Sequence, residues 1–482
     1  MITPRRNEPC SCGSGKRYKD CHGKLGTEGP GTEALLQRAL GAHQQGRVDE
    51  AERGYREVLA LDANNAVATH YLGLAAWQRG DTGEAEARMR SSIAASASIP
   101  DFHNNLGLLL RDLGRGEEAI GEFHATLGAD AGWIEAYSNL GLTLESLGRW
   151  DEAIAAYREA LARQSQFPAA RQNLARVLLA RGAFAEGWNA YRWRLFAQGT
   201  STTPPDPSAR PLPATLAGRS FVLITEQGIG DALFFLRFAP ELTKRGARIA
   251  FRGDARLHSM LARTGVFERG VAAEDTPAPG LEPIPIGDLP WLLGIVDAGR
   301  APPPLALTPE PQRVSRMRAV LEAQGPPPYV ALTWRAGVIS TGPSHTQQKE
   351  VGIEALGAAL RGHAASWISV QRLPKAGERE KLAGALGAPV FDMSGVNSDL
   401  EDMLALLSLV DSYVGVSNAN TYLRAGLAKP MRALIQNPPE WRWGLEEQSP
   451  WFPATTLYRQ RVDGDWNSAL ERLASDMGPG RM

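Results

Sequence analysis

The sequence predicts a multidomain chain: an all-α array of helix pairs, then an α/β module, with a small cysteine-rich segment ahead of both. Three observations predict it. A residue pattern recurs every 34 positions from Thr32 onward. After position 218 that period gives way to alternating strand and helix signals. The three cysteines of the 482-residue chain, Cys10, Cys12 and Cys21, all lie at its start.

The array is read from three columns. Gly46, Gly80, Gly114, Gly148 and Gly182 form the first, and Ala51, Ala85, Ala119, Ala153 and Gly187 the second. Tyr55, Met89, Phe123, Tyr157 and Tyr191 form the third. The glycine suits a turn between two helices, where a positive φ is cheap. The small residue lets helices approach, and the large apolar one fills the space between units. Leu72-Gly73, Leu106-Gly107 and Leu140-Gly141 mark the first helix of three units. The pattern resembles the tetratricopeptide repeat family, with five units over 32–201. The resemblance implies a superhelix with a concave face that binds a protein partner.

Asn105, Asn139 and Asn173 also step by 34. In the family this position faces the groove, where an amide can donate to and accept from a peptide backbone. Such a ladder resembles that of O-GlcNAc transferase, although Gln37 and Tyr71 occupy the position in the first two units. The alternative is that these asparagines satisfy only local hydrogen bonds.

Residues 202–218 are rich in Pro, Ser and Thr and read as a linker. Ser220 to Thr225 reads as a buried strand. It leads through Glu226-Gln227-Gly228-Ile229-Gly230-Asp231 into a helix from Ala232 to Arg245, and a second strand follows at Arg248 to Phe251. From Tyr329 onward the signals alternate. Strands are expected at Tyr329 to Trp334, Trp367 to Val370, Pro389 to Asp392, Tyr413 to Val416 and Arg432 to Ile435. The helices between them are expected at Ile353 to Arg361, Arg379 to Leu386, Leu400 to Leu409 and Thr421 to Leu427. A last helix, Trp466 to Met477, is expected to pack back across the junction.

The glycine turn ending in Asp231, Leu332 to Gly337, Ser369-Val370-Gln371, Val414 to Pro430 and Pro439 to Trp443 together resemble the heptosyltransferase-related glycosyltransferases. The resemblance implies a GT-B arrangement of two Rossmann-like halves, 219–311 and 312–482, with a nucleotide-sugar site in the second. It implies metal-independent transfer to a protein acceptor held by the array. Helix N-termini and cationic side chains would stabilise the leaving diphosphate. By the same resemblance Asp231 is the candidate base, with helix capping as the alternative role. His345, in the loop that leads to Lys349, is a second base candidate, with plain surface as its alternative. Gly228 and Gly230 would admit the ligand closely. Arg335, Lys349, Gln371, Ser417, Asn418, Asn420, Thr421 and Arg424 are the other donor-binding candidates. Ser417-Asn418 stand where the family carries Asp-Thr, and Tyr422 where it carries His. Those exchanges support the other reading, a non-catalytic adaptor with a degenerate transferase domain. Trp441 and Trp443 are read chiefly as packing residues, with an aromatic sugar wall as the alternative.

Within 1–26, Cys10, Cys12, Cys21 and His22 supply three thiolates and an imidazole, a closed tetrahedral set for structural zinc. Cys10-Ser11-Cys12-Gly13-Ser14-Gly15-Lys16 onward to His22 resembles the SEC-C zinc motif of the SecA translocation ATPase. The alternative is a reduced, unstructured tail.

Composition frames these readings. Hydrophobic residues make up 43% and the net charge is −1, so no global field favours nucleic acid. No apolar run approaches the roughly 20 residues that span a bilayer. The beginning of the sequence lacks the apolar core of a signal peptide, and a cytoplasmic location is expected. A homodimer stays open.

Overall fold

The computed structural model describes residues 31–271, 280–336 and 349–478. Contacts divide the chain into two compact units, one ending at Asn139 and one spanning Leu140–Met482.

The first unit is built from helices α1 (Thr32–Gln44), α2 (Val48–Leu61), α3 (Ala66–Gln78), α4 (Thr82–Ala95), α5 (Pro100–Asp112) and α6 (Gly116–Ala129). It also takes in the start of α7 (Ile134–Ser146). The turn glycines Gly46, Gly80 and Gly114 have φ of 73°, 85° and 77°, the left-handed region where any Cβ costs free energy. Ala51, Ala85 and Ala119 are fully buried, as are Tyr55, Met89 and Phe123. A Cβ on Gly107 would lie 2.7 Å from the Phe123 ring, so the glycine makes room for the knob of its own helix pair. Side-chain caps close two helices: Asn65 accepts from the Ala68 N–H and Asp81 from the Glu84 N–H, both at 3.0 Å.

The second unit begins with the end of α7 and continues through α8 (Trp150–Arg163), α9 (Pro168–Ala180) and α10 (Phe184–Tyr191). The α9–α10 pair does not stop at a polar face. Leu179, Phe184, Trp188 and Tyr191 join one apolar core with Phe234, Phe235, Trp441 and Trp451 of the α/β module. Trp188 packs edge-on against Trp441, ring centroids 5.2 Å apart. The 202–218 segment is tied down as well: Leu212 N–H donates to Leu292 O and Leu216 N–H to Arg245 O.

The module contains two parallel sheets. Strands β1 (Ser220–Ile224), β2 (Arg248–Arg252), β3 (Arg269–Val271) and β4 (Glu282–Pro285) lie in the order β3-β2-β1-β4. Strands β5 (Tyr329–Thr333), β6 (Ser366–Ser369), β7 (Val390–Asp392), β8 (Ser412–Val416), β9 (Met431–Ile435) and β10 (Thr455–Arg459) lie in the order β10-β9-β8-β5-β6-β7. Counted within the sheet, that is the doubly wound order 3-2-1-4-5-6, which reverses between β5 and β8. Period-2 patterning sorts its side chains: Val330, Leu332, Val414 and Val416 enter one core, Ala331 and Tyr413 the other.

Several expectations need correction. The 232–245 helix is two helices, Ile229–Leu236 and Ala239–Lys244, broken before Pro240. Strands β3, β4 and β10 were not foreseen. β4 carries Pro283 and Pro285, which an edge strand tolerates. The last helix, Asn467–Asp476, lays Leu470 and Leu473 onto the core of the β5–β10 sheet, beside Leu356 and Tyr458, rather than across the junction.

Candidate functional site

The carboxyl ends of β1, β5 and β8 open on one cleft of about 690 Å³. This is where a doubly wound sheet leaves a crevice, because neighbouring connections depart to opposite faces.

On the β1 side the chain turns through Gln227-Gly228-Ile229-Gly230-Asp231. The helix starts at Ile229 with Gly228 as its cap residue, and no side chain caps it. Asp231 therefore sits inside the first turn, which removes the capping role. Its Oδ1 instead accepts a hydrogen bond from Arg442 Nη2. Gly230 is fixed by its neighbour: a Cβ there would meet the Tyr422 ring at 2.9 Å. Tyr422 is buried, and that burial raises its phenol pKa above the ordinary value.

Arg442 links the two walls. Its Nη1 also lies 3.8 Å from Glu440 Oε1, and its guanidinium carbon lies 4.7 Å from the Trp441 ring centroid. Burial opposes its charge, but Asp231, Tyr422 and Glu440 outweigh that and raise its pKa. Glu440 Oε1 accepts from Lys349 Nζ at 2.7 Å and Oε2 from Ser417 Oγ at 2.6 Å. Burial alone would raise the Glu440 pKa. Lys349, Arg442 and Ser417 prevail and pull it down to about 2. Asp231, Arg442, Glu440, Lys349 and Ser417 thus form one charge network across the cleft.

At the β5–β8 reversal, Asn418 caps the helix Ala419–Gly426 by accepting from the Asn420 N–H at 2.9 Å. The Asn418 amide donates to Thr333 Oγ1, and its oxygen accepts from the Tyr413 hydroxyl, each at 3.0 Å. A Cβ at Gly415 would collide with the Thr333 hydroxyl. Ser417, Asn418 and Asn420 line the cleft, with Gly228, Gly230, Asp231 and Lys349.

Other candidates are committed elsewhere. Arg335 reaches the cleft, but its Nη1 donates to Glu378 Oε1 at 2.5 Å and its Nη2 to Leu373 O at 3.2 Å. The Glu378 hydrogen bond raises the Arg335 pKa further. Gln371 is fully buried and braces two strand ends: Oε1 accepts from the Trp334 and Arg335 N–H groups, and Nε2 donates to Arg335 O. Thr421 is buried and donates to Asn418 O. Arg424 is fully buried, its guanidinium given to the carbonyls of Leu407, Val410, Asp411 and Pro430. Three of these, Gln371, Thr421 and Arg424, lie outside the cleft lining. The sequence reading missed Arg256, Arg372 and Lys375, which are exposed on the cleft wall. It also missed Glu440 and Arg442, although charged residues alternate there with the buried Trp441 and Trp443. His345 and the set Cys10, Cys12, Cys21 and His22 lie outside the described residues.

The asparagine column is half-buried. Asn105 Nδ2 donates to His70 Nε2 at 3.0 Å, and Asn139 Nδ2 to Asn104 Oδ1 at 3.1 Å. Asn173 Oδ1 accepts from Arg176 Nη1 at 3.3 Å. Part of the amide capacity is therefore used by neighbouring side chains. Among the described residues no helix is long and apolar enough to cross a membrane.

Comparison with known proteins identifies the repeats and the first segment of the chain. The tetratricopeptide repeat family matches residues 36–98, 70–132 and 134–167, and the SEC-C motif matches residues 6–24. Protein FlbA of Caulobacter vibrioides is 26% identical over 282 residues, which cover 54% of this chain and 46% of that protein. The chain thus spans less than half of that relative. The SecA subunit of Campylobacter hominis is 86% identical over 21 residues, 4% of this chain and 2% of SecA. Among solved structures, MamA shares 22% identity over 34% of this chain and 95% of its own, with a TM-score of 0.31. PilF of Pseudomonas aeruginosa shares 23% over 36% of this chain and 78% of its own, with a TM-score of 0.33. The chain carries tetratricopeptide repeats, which serve protein–protein interaction, together with a SEC-C motif and parallel-sheet α/β regions.

Proposed function

We propose that the α/β module is a GT-B glycosyltransferase that moves a sugar from a nucleotide-sugar donor to a protein held by the repeats. The observation that carries this reading is the cleft at the β5–β8 strand-order reversal, with Asp231 on one wall and the cations Arg372 and Lys375 on the other. The acceptor hydroxyl gives its proton to Asp231 as its oxygen bonds to the anomeric carbon. The bond from that carbon to the diphosphate breaks, and the nucleoside diphosphate leaves with the electron pair. Arg372 and Lys375 receive the diphosphate charge. Lys349, Ser417, Asn418 and Asn420 complete the donor side. Asn105, Asn139 and Asn173 contact the acceptor backbone with their remaining amide capacity.

Calorimetric titration of the full chain with nucleoside diphosphates and nucleotide sugars tests this. Saturable binding of one donor, weakened about tenfold or more in Arg372→Ala/Lys375→Ala, supports it. Asp231→Asn should abolish transfer while leaving donor affinity near the parent value.

A second reading is a protein-binding adaptor with an inactive module. The Asp231–Arg442 ion pair favours it, since the carboxylate that would take the acceptor proton is already engaged by a guanidinium. Absence of binding to every member of the titration panel would select this reading. For the SEC-C segment, the donor set Cys10, Cys12, Cys21 and His22 fits one structural zinc; metal analysis of the purified chain should find about one equivalent, lost on chelation.

A further inference from the structure

The β3-β2-β1-β4 sheet reverses its order between β1 and β4, so it too has a crevice at its carboxyl edge. That crevice is filled from outside the sheet. Arg194, in the short helix Arg194–Ala197 that follows α10, inserts its guanidinium there and is 1% exposed. Nε and Nη2 hold both oxygens of Glu226 at 2.6 Å, and Nη1 holds Asp288 Oδ1 at 2.6 Å. Glu226 Oε1 also accepts from the Gly287 N–H at 3.1 Å. Gly287 leaves room for the Arg194 side chain, since a Cβ there would lie 2.6 Å from the Arg194 guanidinium carbon. One side chain therefore ties the end of the repeat array to the loops after both β1 and β4. Burial disfavours its charge, yet Asp288 and Glu226 together raise its pKa.

Glu226 opens the turn that ends in Asp231. We infer that Arg194 is a positioning residue: from the foot of the repeat array it fixes the Glu226–Asp231 turn, and with it the wall of the cleft. A buried ion pair adds little net stability after desolvation, but its geometry is specific. A planar fork holding one carboxylate by two bonds and a second by a third leaves the turn a single arrangement. Lysine, a point charge on a flexible stem, cannot reproduce the fork. The inference rests on the cleft being the working site proposed above.

Backbone amide hydrogen exchange on the full chain tests it without any ligand. Two variants are compared with the parent: Arg194→Lys, which keeps the charge, and Arg194→Met/Glu226→Met, which replaces the pair by apolar groups. In both, the hydrogen-bonded amides that bracket the turn, Thr225 (to Arg252 O) and Ala232 (to Gly228 O), should exchange about tenfold faster or more while amides of β5 and β8 keep the parent rate. Unchanged exchange at Thr225 and Ala232 in either folded variant overturns the inference. So does acceleration in step with β5 and β8, which would mark a general loss of stability. If one variant fails to fold, the other decides; failure of both assigns Arg194 to stability alone and overturns positioning. Should the parent bind no nucleotide, the transfer reading falls while the exchange result stands.

Discussion

Glu440 and His70 give the two units separate responses to acid. The Glu440 pKa is about 2 in the fold against an ordinary 4.5, so the unfolded chain takes up the proton first. Its contribution to stability is complete above pH 4.5 and is lost as pH falls toward 2. Glu440→Gln should flatten that part of a urea-midpoint-against-pH curve. His70 is fully buried, and burial lowers its pKa from 6.5 to about 4. Here too the unfolded chain binds the proton first, so stability falls as pH drops from 6.5 to about 4. His70→Gln should flatten only that higher window, followed by helical circular dichroism. At this scale the sequence was half legible. Asp231 and Asn418 were visible because each follows a strand end at a turn. Arg335 and Gln371 had similar placements, but strand-end position does not say which buried carboxylate or carbonyl a side chain will find. Arg442 was hidden by its tryptophan neighbours, which drew the reading toward packing.

The helix pairs show how far a period can be read. All five turn glycines have positive φ, from 73° to 85°, at the positions the 34-residue column picked out. The Leu-Gly pairs have a purpose that the period did not disclose. Gly107 and Gly141 are pressed against Phe123 and Tyr157, with hypothetical Cβ distances of 2.7 and 2.5 Å to ring atoms. Gly107→Ala would gain about 1 kcal/mol of helix propensity but lose about 1–3 kcal/mol to overpacking. A net fall in the denaturant midpoint is expected, reversed when Phe123→Leu is added. Strands were legible where both faces are buried, as in β5 and β8, whose residues are all buried. They were not legible in β4, an edge strand of four residues with two prolines, or in the three-residue β3, because neither carries an apolar run.

For the molecule as a whole, the linker expected at 202–218 is not a seam between independent parts. The rings of α10 complete the core that Phe235, Trp441 and Trp451 begin, and the segment after it is hydrogen-bonded to Arg245 and Leu292, at the ends of two helices of the first α/β half. A chain cut to begin at residue 219 should therefore expose a contiguous apolar face and aggregate. One that begins at residue 166, keeping α9 and α10, should remain soluble and melt cooperatively; light scattering and calorimetry distinguish the two. The sequence could not show this, because the repeat pattern in α10 looks the same whether its outer face meets water or another core.

The burial of α10 also restricts how the number of repeats can change over generations. Loss or duplication of a 34-residue stretch such as 66–99 preserves the register of every other pair. Loss of 168–201 instead removes Trp188, Tyr191 and Arg194, and with them part of the cleft's foundation. Copy number can drift through the earlier repeats, while the last pair is inherited with the module as a single piece.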